Sequence, residues 1–364
     1  MKIKKITNEL QNWAPLSYAE DFDNVGMIIG NENIECTGVL ITIDITESVI
    51  EEAVKKNCNL IISFHPIIFN GIKKIIGEDY VQKIAIKAIQ NKIAVFSIHT
   101  ALDNHKNGVS YKVGEILSLK NQKILIPKKN TLKKLSLITP KENSEKILNK
   151  LYSTGAGKIG NYNNCSFKIS GTGSFTGNSE SNPTIGLPGK KTKINEEIIN
   201  VMFKKDLENK ILKTIDENHP YEEYSYEIYP IDNINQDIGM GTIGFLKPPQ
   251  SFPEFISSVK SKMNCISIRH SKNLSKKISK VAIIGGSGSF GIEEAINQNA
   301  DVFITSDIKY HDYFKAENKI ILMDIGHFES EQFTKNLIQD YLTKKIPNFA
   351  FVLSKVHTNP INYF

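Results

Sequence analysis

A chain of 364 residues, 40% hydrophobic and 23% charged, is long enough for a large buried core and two domains, and its balance excludes a disordered or low-complexity protein. No run approaches the roughly 18 apolar residues of a membrane span, and MKIKKITNELQNW lacks a signal peptide's apolar stretch, so a cytoplasmic location is expected. The net charge of +6 is scattered over Lys55-Lys56, Lys133-Lys134, Lys204-Lys205 and Lys276-Lys277, and Arg269 is the only arginine; this is a solvated surface and argues against sequence-specific nucleic-acid binding.

In chain order, the pattern predicts a helix near 3–13, a strand over Val39–Ile43 and a helix from about Glu47 to Lys56, with Asp44 or Thr46 as its cap. The strand Leu60–Ser63, a helix over about 80–91 and the strand Ile93–Ile98 follow. Strands separated by helices of this length predict parallel βαβ units. Over 127–233 the rhythm changes. KKLSLITP reads as a strand, NSEKILNKLYSTG as a helix, and the glycine-rich GAGKIGNYNNCSFKISGTGSFTG precedes a helix near 206–217 and the strand YSYEIYPI, which together predict a ferredoxin-like plan. The tract 178–192 reads as an exposed loop. From about 234 the βα rhythm returns through KVAIIGG, GIEEAINQNA, DVFITSD, KIILMDIGH, a helix to Lys345 and FAFVLS. The expected fold class is therefore α/β: residues 1–126 and 234–364 form two halves of one domain with a mostly parallel sheet, split by an inserted ferredoxin-like domain at 127–233. The four cysteines lie far apart with no C-x-x-C pair, which predicts reduced thiols rather than a disulfide framework or a thiolate zinc site.

The polar residues at the strand ends carry the chemistry. His65 ends one strand, His99 and Asp103 end the next, Asp307 another, and His327 with Glu331 follow a fourth. Carboxyl ends of parallel strands line the crevice where ligands bind, and the i, i+4 spacings of His99/Asp103 and His327/Glu331 put each pair on one helix face. Histidines and carboxylates converging there suit a divalent cation such as zinc, manganese or iron. A rival is GSGSFG at 286–291, which fits the dinucleotide fingerprint after a strand, with Asp307 about 20 residues on. GMGTIG at 239–244 fits the same pattern but runs into KPPQSFP, which cannot open a long helix.

AEDFDNVGMIIG at 19–30, then SFHPIIF, HTALD, GGSGS and GHFESE in this order, resemble the GTP cyclohydrolase 1 type 2 homologue family, also called the Nif-three-like proteins. GAGKIGNYNNCSF and HPYEEYSYEIYP resemble that family's inserted domain, which is similar to the PII and CutA folds. The resemblance implies a dinuclear metal site at His65, Asp103, His327 and Glu331, with Glu331 as the bridge, so one or two divalent ions per chain. Phe64 stands where the family has the first of two adjacent histidines and cannot coordinate; the second ion would keep His327 and Glu331 and draw on His99, Asp307 or water. The activity implied is metal-dependent hydrolysis of a nucleotide or purine, opening the imidazole ring, with the second ion or His99 handling protons and Gly286, Ser287, Gly288 and Ser289 cradling phosphates. A homohexamer is also implied. Two other function classes stand beside this one: a metal carrier or regulatory protein without catalysis, and a dinucleotide-dependent enzyme using Gly286–Gly291.

Overall fold

The structure, a computed structural model, describes residues 1–274 and 277–364; Lys276 of the last lysine pair falls outside them. The chain divides into two compact units, one made of Met1–Pro127 with Gln236–Phe364 and the other of Lys128–Asn235.

The first unit holds two sheets. One runs in the order Gly26–Ile29, Ala94–Ser97, Leu60–Ser63, Val39–Thr42, Phe351–Leu353. Its inner pairs are parallel, and Gly26–Ile29 lies antiparallel at one edge. Every residue of Val39–Thr42, Leu60–Ser63 and Ala94–Ser97 is buried, the expected signature of strands covered on both faces. The helices Glu47–Lys55 and Tyr80–Gln90 are capped by Thr46, whose hydroxyl accepts from the Val49 amide, and by Asp79, which accepts from Gln82. Thr46 thus takes the capping role and leaves Asp44 free for another.

The second sheet has the order Arg269–His270, Ile321–Asp324, Val302–Ser306, Ile278–Ser287, Gly239–Gln250, Lys120–Pro127. Only its three central strands are parallel; the three outer ones pair antiparallel. The expectation of one sheet shared between the two halves is therefore corrected to two mixed sheets. Each sequence half lends one strand to the other's sheet: Phe351–Leu353 joins the first and Lys120–Pro127 the second. Alternation of strands and helices predicts parallel crossovers but carries no information on which strands pair, and that is where the expectation failed. Gly239–Gln250, whose glycines mimic a nucleotide motif, is a strand.

The second unit, described by itself, is a four-stranded antiparallel sheet in the order Ser166–Phe175, Thr192–Lys204, Leu132–Pro140, Tyr226–Ile231. The helix Ser144–Thr154 follows the strand Leu132–Pro140, and the helix Glu208–Asn218 follows Thr192–Lys204. Leu135, Leu137, Ile199 and Val201 bury one face against Ile147, Leu151, Ile211 and Ile215 of these helices. The period-2 burial of Leu132–Pro140 shows the alternation of a sheet with one covered face.

Candidate metal centre

Both sheets of the first unit aim strand ends at one place. Backbone pairing continues past the ends of the first sheet's strands: the His65 amide donates to the Ile43 carbonyl at 3.0 Å and the His99 amide to the Phe64 carbonyl at 3.0 Å. The buried hydroxyls of Ser63 and Ser97 meet at 2.6 Å across the same two strands. His65 and His99 therefore stand on fixed backbone. His327 and Glu331 come from the second sheet, on the short helix His327–Glu331 that follows the strand Ile321–Asp324. That helix is tied down by Ser330, whose hydroxyl donates to the His327 carbonyl at 2.8 Å and accepts from the Gly286 amide at 2.9 Å.

The imidazoles of His65 and His327, 262 positions apart in the chain, lie with ring centroids 5.5 Å apart. The Nε2 atoms of both rings stand 3.2 Å from Oε2 of Glu331, and His65, His327 and Glu331 form a group whose ligand atoms lie close enough together to hold one metal ion. Each Nδ1 is already engaged. His65 donates to Asp44 at 2.8 Å, His327 to Asp307 at 2.6 Å and His99 to Asp23 at 2.8 Å. A carboxylate can only accept, so each Nδ1 carries a proton; in the neutral ring each Nε2 then turns its lone pair to the cavity, the tautomer of a metal-ligating histidine with a carboxylate behind it. The supporting carboxylates are themselves held: Asp44 accepts from the Thr358 hydroxyl at 2.8 Å, Asp23 from the Thr100 amide and hydroxyl, and Asp307 from the hydroxyls of Ser287 and Ser306.

The electrostatics show a cavity short of positive charge. Glu331 is 3% exposed, and among the described residues its Oε2 receives no aligned hydrogen bond although two ring nitrogens face it. Burial alone would raise its pKa; the facing imidazoles reverse this and hold it at about 2. Burial would likewise lower His65, but the Glu331 and Asp44 carboxylates push it up to about 10; Asp307 and Glu331 push His327 to about 11 against the same penalty. For Asp103 burial wins. Its Oδ1 is buried with no donor among the described residues, and burial followed by the charge of Glu331 raises its pKa well above the ordinary value, against the smaller opposing effect of His65 and His327. The cluster is satisfied by protons on the imidazoles or by a cation among them. These orphaned oxygens and inward-facing lone pairs fit a divalent ion.

Of the residues singled out in the sequence, His65, His327 and Glu331 come together as this group. Asp103 and His99 line the adjoining cavity with His327 and Glu331. Asp307 backs His327 rather than facing the cavity. Phe64 is fully buried beside Phe96 in the core, its ring edge-on to His99 at 5.4 Å. A Cβ at Gly286, where φ is +66°, would lie 2.3 Å from Oε1 of Glu331, so this glycine makes room for the carboxylate. The amides of Gly285 and Gly286 already donate to the hydroxyls of Ser110 and Ser330. A 3₁₀ turn and the six-residue helix Ile292–Asn297 follow, and Asp307, the acidic residue about 20 positions on, pairs with His327. Asp44 and Asp23 were missed as partners of the histidines. Asp44 follows a buried strand just as His65 does, which was the available signal.

A family model described as Duf34/NIF3 (NGG1p interacting factor 3) matches residues 1–360. A Staphylococcus epidermidis protein named "GTP cyclohydrolase 1 type 2 homolog" is 35% identical, with 100% of both chains covered, and a Bacillus subtilis protein of the same name is 31% identical over 99% of this chain and 98% of its own. Among solved structures, a Bacillus cereus protein described as related to NIF3 superposes with a TM-score of 0.87 at 32% identity, covering 100% of this chain and 99% of that one. A Staphylococcus aureus protein superposes with a TM-score of 0.79 at 30% identity over 100% and 99%.

Proposed function

This chain belongs to the Duf34/NIF3 family, and we propose that it is a metal-dependent hydrolase of a purine or nucleotide whose ion is held by His65, His327 and Glu331. The observation that carries this reading is the Oε2 atom of Glu331, buried without a hydrogen bond and faced at 3.2 Å by the Nε2 atoms of two histidines already anchored through Nδ1. Two imidazoles and a carboxylate suit a borderline ion such as zinc, manganese or iron. When bound, such an ion acts as a Lewis acid and lowers the pKa of water from 15.7 to about 7. Asp103 supplies a further carboxylate to the same cavity, and Glu331 lies where a bridge to a second ion would start. With Phe64 buried in the core, that second position lacks a ligand, so one ion per chain is the principal load. His99, fixed by Asp23 at Nδ1, presents Nε2 as the group that takes and returns a proton beside the substrate.

The relatives' name points to opening of a purine imidazole ring by water. The test is an assay of metal-loaded protein against GTP, guanosine and other purines for ring opening and formate release, with His65→Ala as the control. Loss of turnover in the variant supports the reading; intact substrates with fully loaded protein would end it.

The inserted unit we assign to the ferredoxin-like folds of the CutA and PII kind. Its strand-helix-strand, strand-helix-strand order and its sheet order support this.

A further inference from the structure

A cavity of about 280 Å³ opens beside the cluster of His65, His327 and Glu331; His327 and Glu331 line it together with His99 and Asp103. Its remaining wall is largely apolar and includes three phenylalanines from distant parts of the chain: Phe22 before the strand Gly26–Ile29, Phe69 after Leu60–Ser63, and Phe290 after Ile278–Ser287. These rings stay 67%, 45% and 58% exposed. A buried aromatic ring is a large source of stability, so three of them left open at one cavity mouth are better explained by something they stack on. Phe22 and Phe69 lie with centroids 6.3 Å apart at 53°, and Phe69 stands edge-on to His99 at 6.4 Å.

The same cavity is poorly made for phosphate. Among the described residues no lysine or arginine lines it, and its acidic groups are Asp103 and Glu331. The loop amides of Gly285 and Gly286 are spent on Ser110 and Ser330. The chain's one arginine, Arg269, is paired with Asp324. A single divalent ion would be offset by the two carboxylates, leaving no surplus positive charge for a triphosphate.

We propose that this cavity takes an uncharged planar heteroaromatic ring, a nucleoside without phosphates, stacked on Phe22, Phe69 and Phe290 with its polar edge toward the cluster. The proposal rests on the metal reading above and narrows its substrate. Nothing in it requires the phenylalanines for metal binding, and the test separates the two. Metal content of the full chain is measured first, for the native protein and for Phe290→Ala. Calorimetric titrations of the metal-loaded proteins then follow, with guanosine, adenosine and cytidine and with their triphosphates. The expected result is equal metal content in both proteins, a nucleoside that binds at least about 10-fold tighter than its triphosphate, and a loss of about 10-fold or more of that affinity in Phe290→Ala, in the range of base-on-aromatic stacking. Absence of metal from the native protein would overturn the metal reading and this proposal with it. With metal present, three results overturn this proposal alone: no nucleoside binds, the triphosphates bind as tightly or tighter, or Phe290→Ala changes the oligomeric state while leaving nucleoside affinity intact.

Discussion

His219 in the inserted unit and His65 with His327 in the split unit are the same residue type in opposite circumstances. His219 has both ring nitrogens occupied by backbone: Nε2 donates to the Ile138 carbonyl at 3.0 Å and Nδ1 accepts from the Tyr221 amide at 3.2 Å, with Tyr224 stacked on the ring at 4.5 Å. Burial lowers its pKa, and it stays a neutral strut. His65 and His327 each have one nitrogen fixed by a carboxylate and the other turned to a buried carboxylate that nothing else satisfies. The second nitrogen of His219 meets the protein's own backbone, whereas those of His65 and His327 are held in place facing a buried carboxylate, which is the basis for proposing them as ligands.

That contrast can be broken in graded steps. The largest effect is expected from His65→Ala, which removes a proposed ligand itself: metal affinity measured by competition with a chelator should fall by more than the about 100-fold that marks the upper range for loss of a supporting partner. Asp307→Asn leaves all three ligand side chains in place and loosens only the anchor of His327, so a loss of about 10- to 100-fold is expected in the same titration. A loss as great as that of His65→Ala would mean that Asp307 is itself a ligand. His219→Leu should leave metal affinity unchanged and lower stability to urea by about 1–3 kcal/mol, since it strands the Ile138 carbonyl and the Tyr221 amide. Smallest of all, Thr46→Ala should cost about 1 kcal/mol of stability through its helix cap and nothing in metal binding; an effect on the metal would show that the work of Asp44 and Thr46 is not divided as the hydrogen bonds indicate.

Much of the site could be read from the sequence because its parts obey a local rule. His65, His99 and His327 each follow a fully buried strand, and such strands end where ligands gather in open α/β sheets. Asp44 obeys the same rule, yet the sequence offers it with Thr46 as a helix cap, because a carboxylate just before a helix has two possible uses and only the three-dimensional position of His65 decides between them. Asp23, in a loop, carried no such signal. The fold was legible to the same depth. Individual strands such as Leu60–Ser63 announce themselves by composition, whereas the exchange of Phe351–Leu353 and Lys120–Pro127 between two sheets depends on pairings across more than a hundred residues. The glycine at 286 illustrates the remaining ambiguity. The fingerprint it opens demands small residues near a ligand, and here the neighbour that demands a glycine at 286 is Glu331.

The most direct test is elemental analysis of protein purified without chelator, comparing the native chain with His327→Ala and His219→Leu. One divalent ion per chain in the native protein and in His219→Leu, with almost none in His327→Ala, is the predicted outcome. A native protein that takes up no ion when supplied with zinc, manganese or iron, or a His327→Ala variant that keeps its full load, would contradict the account.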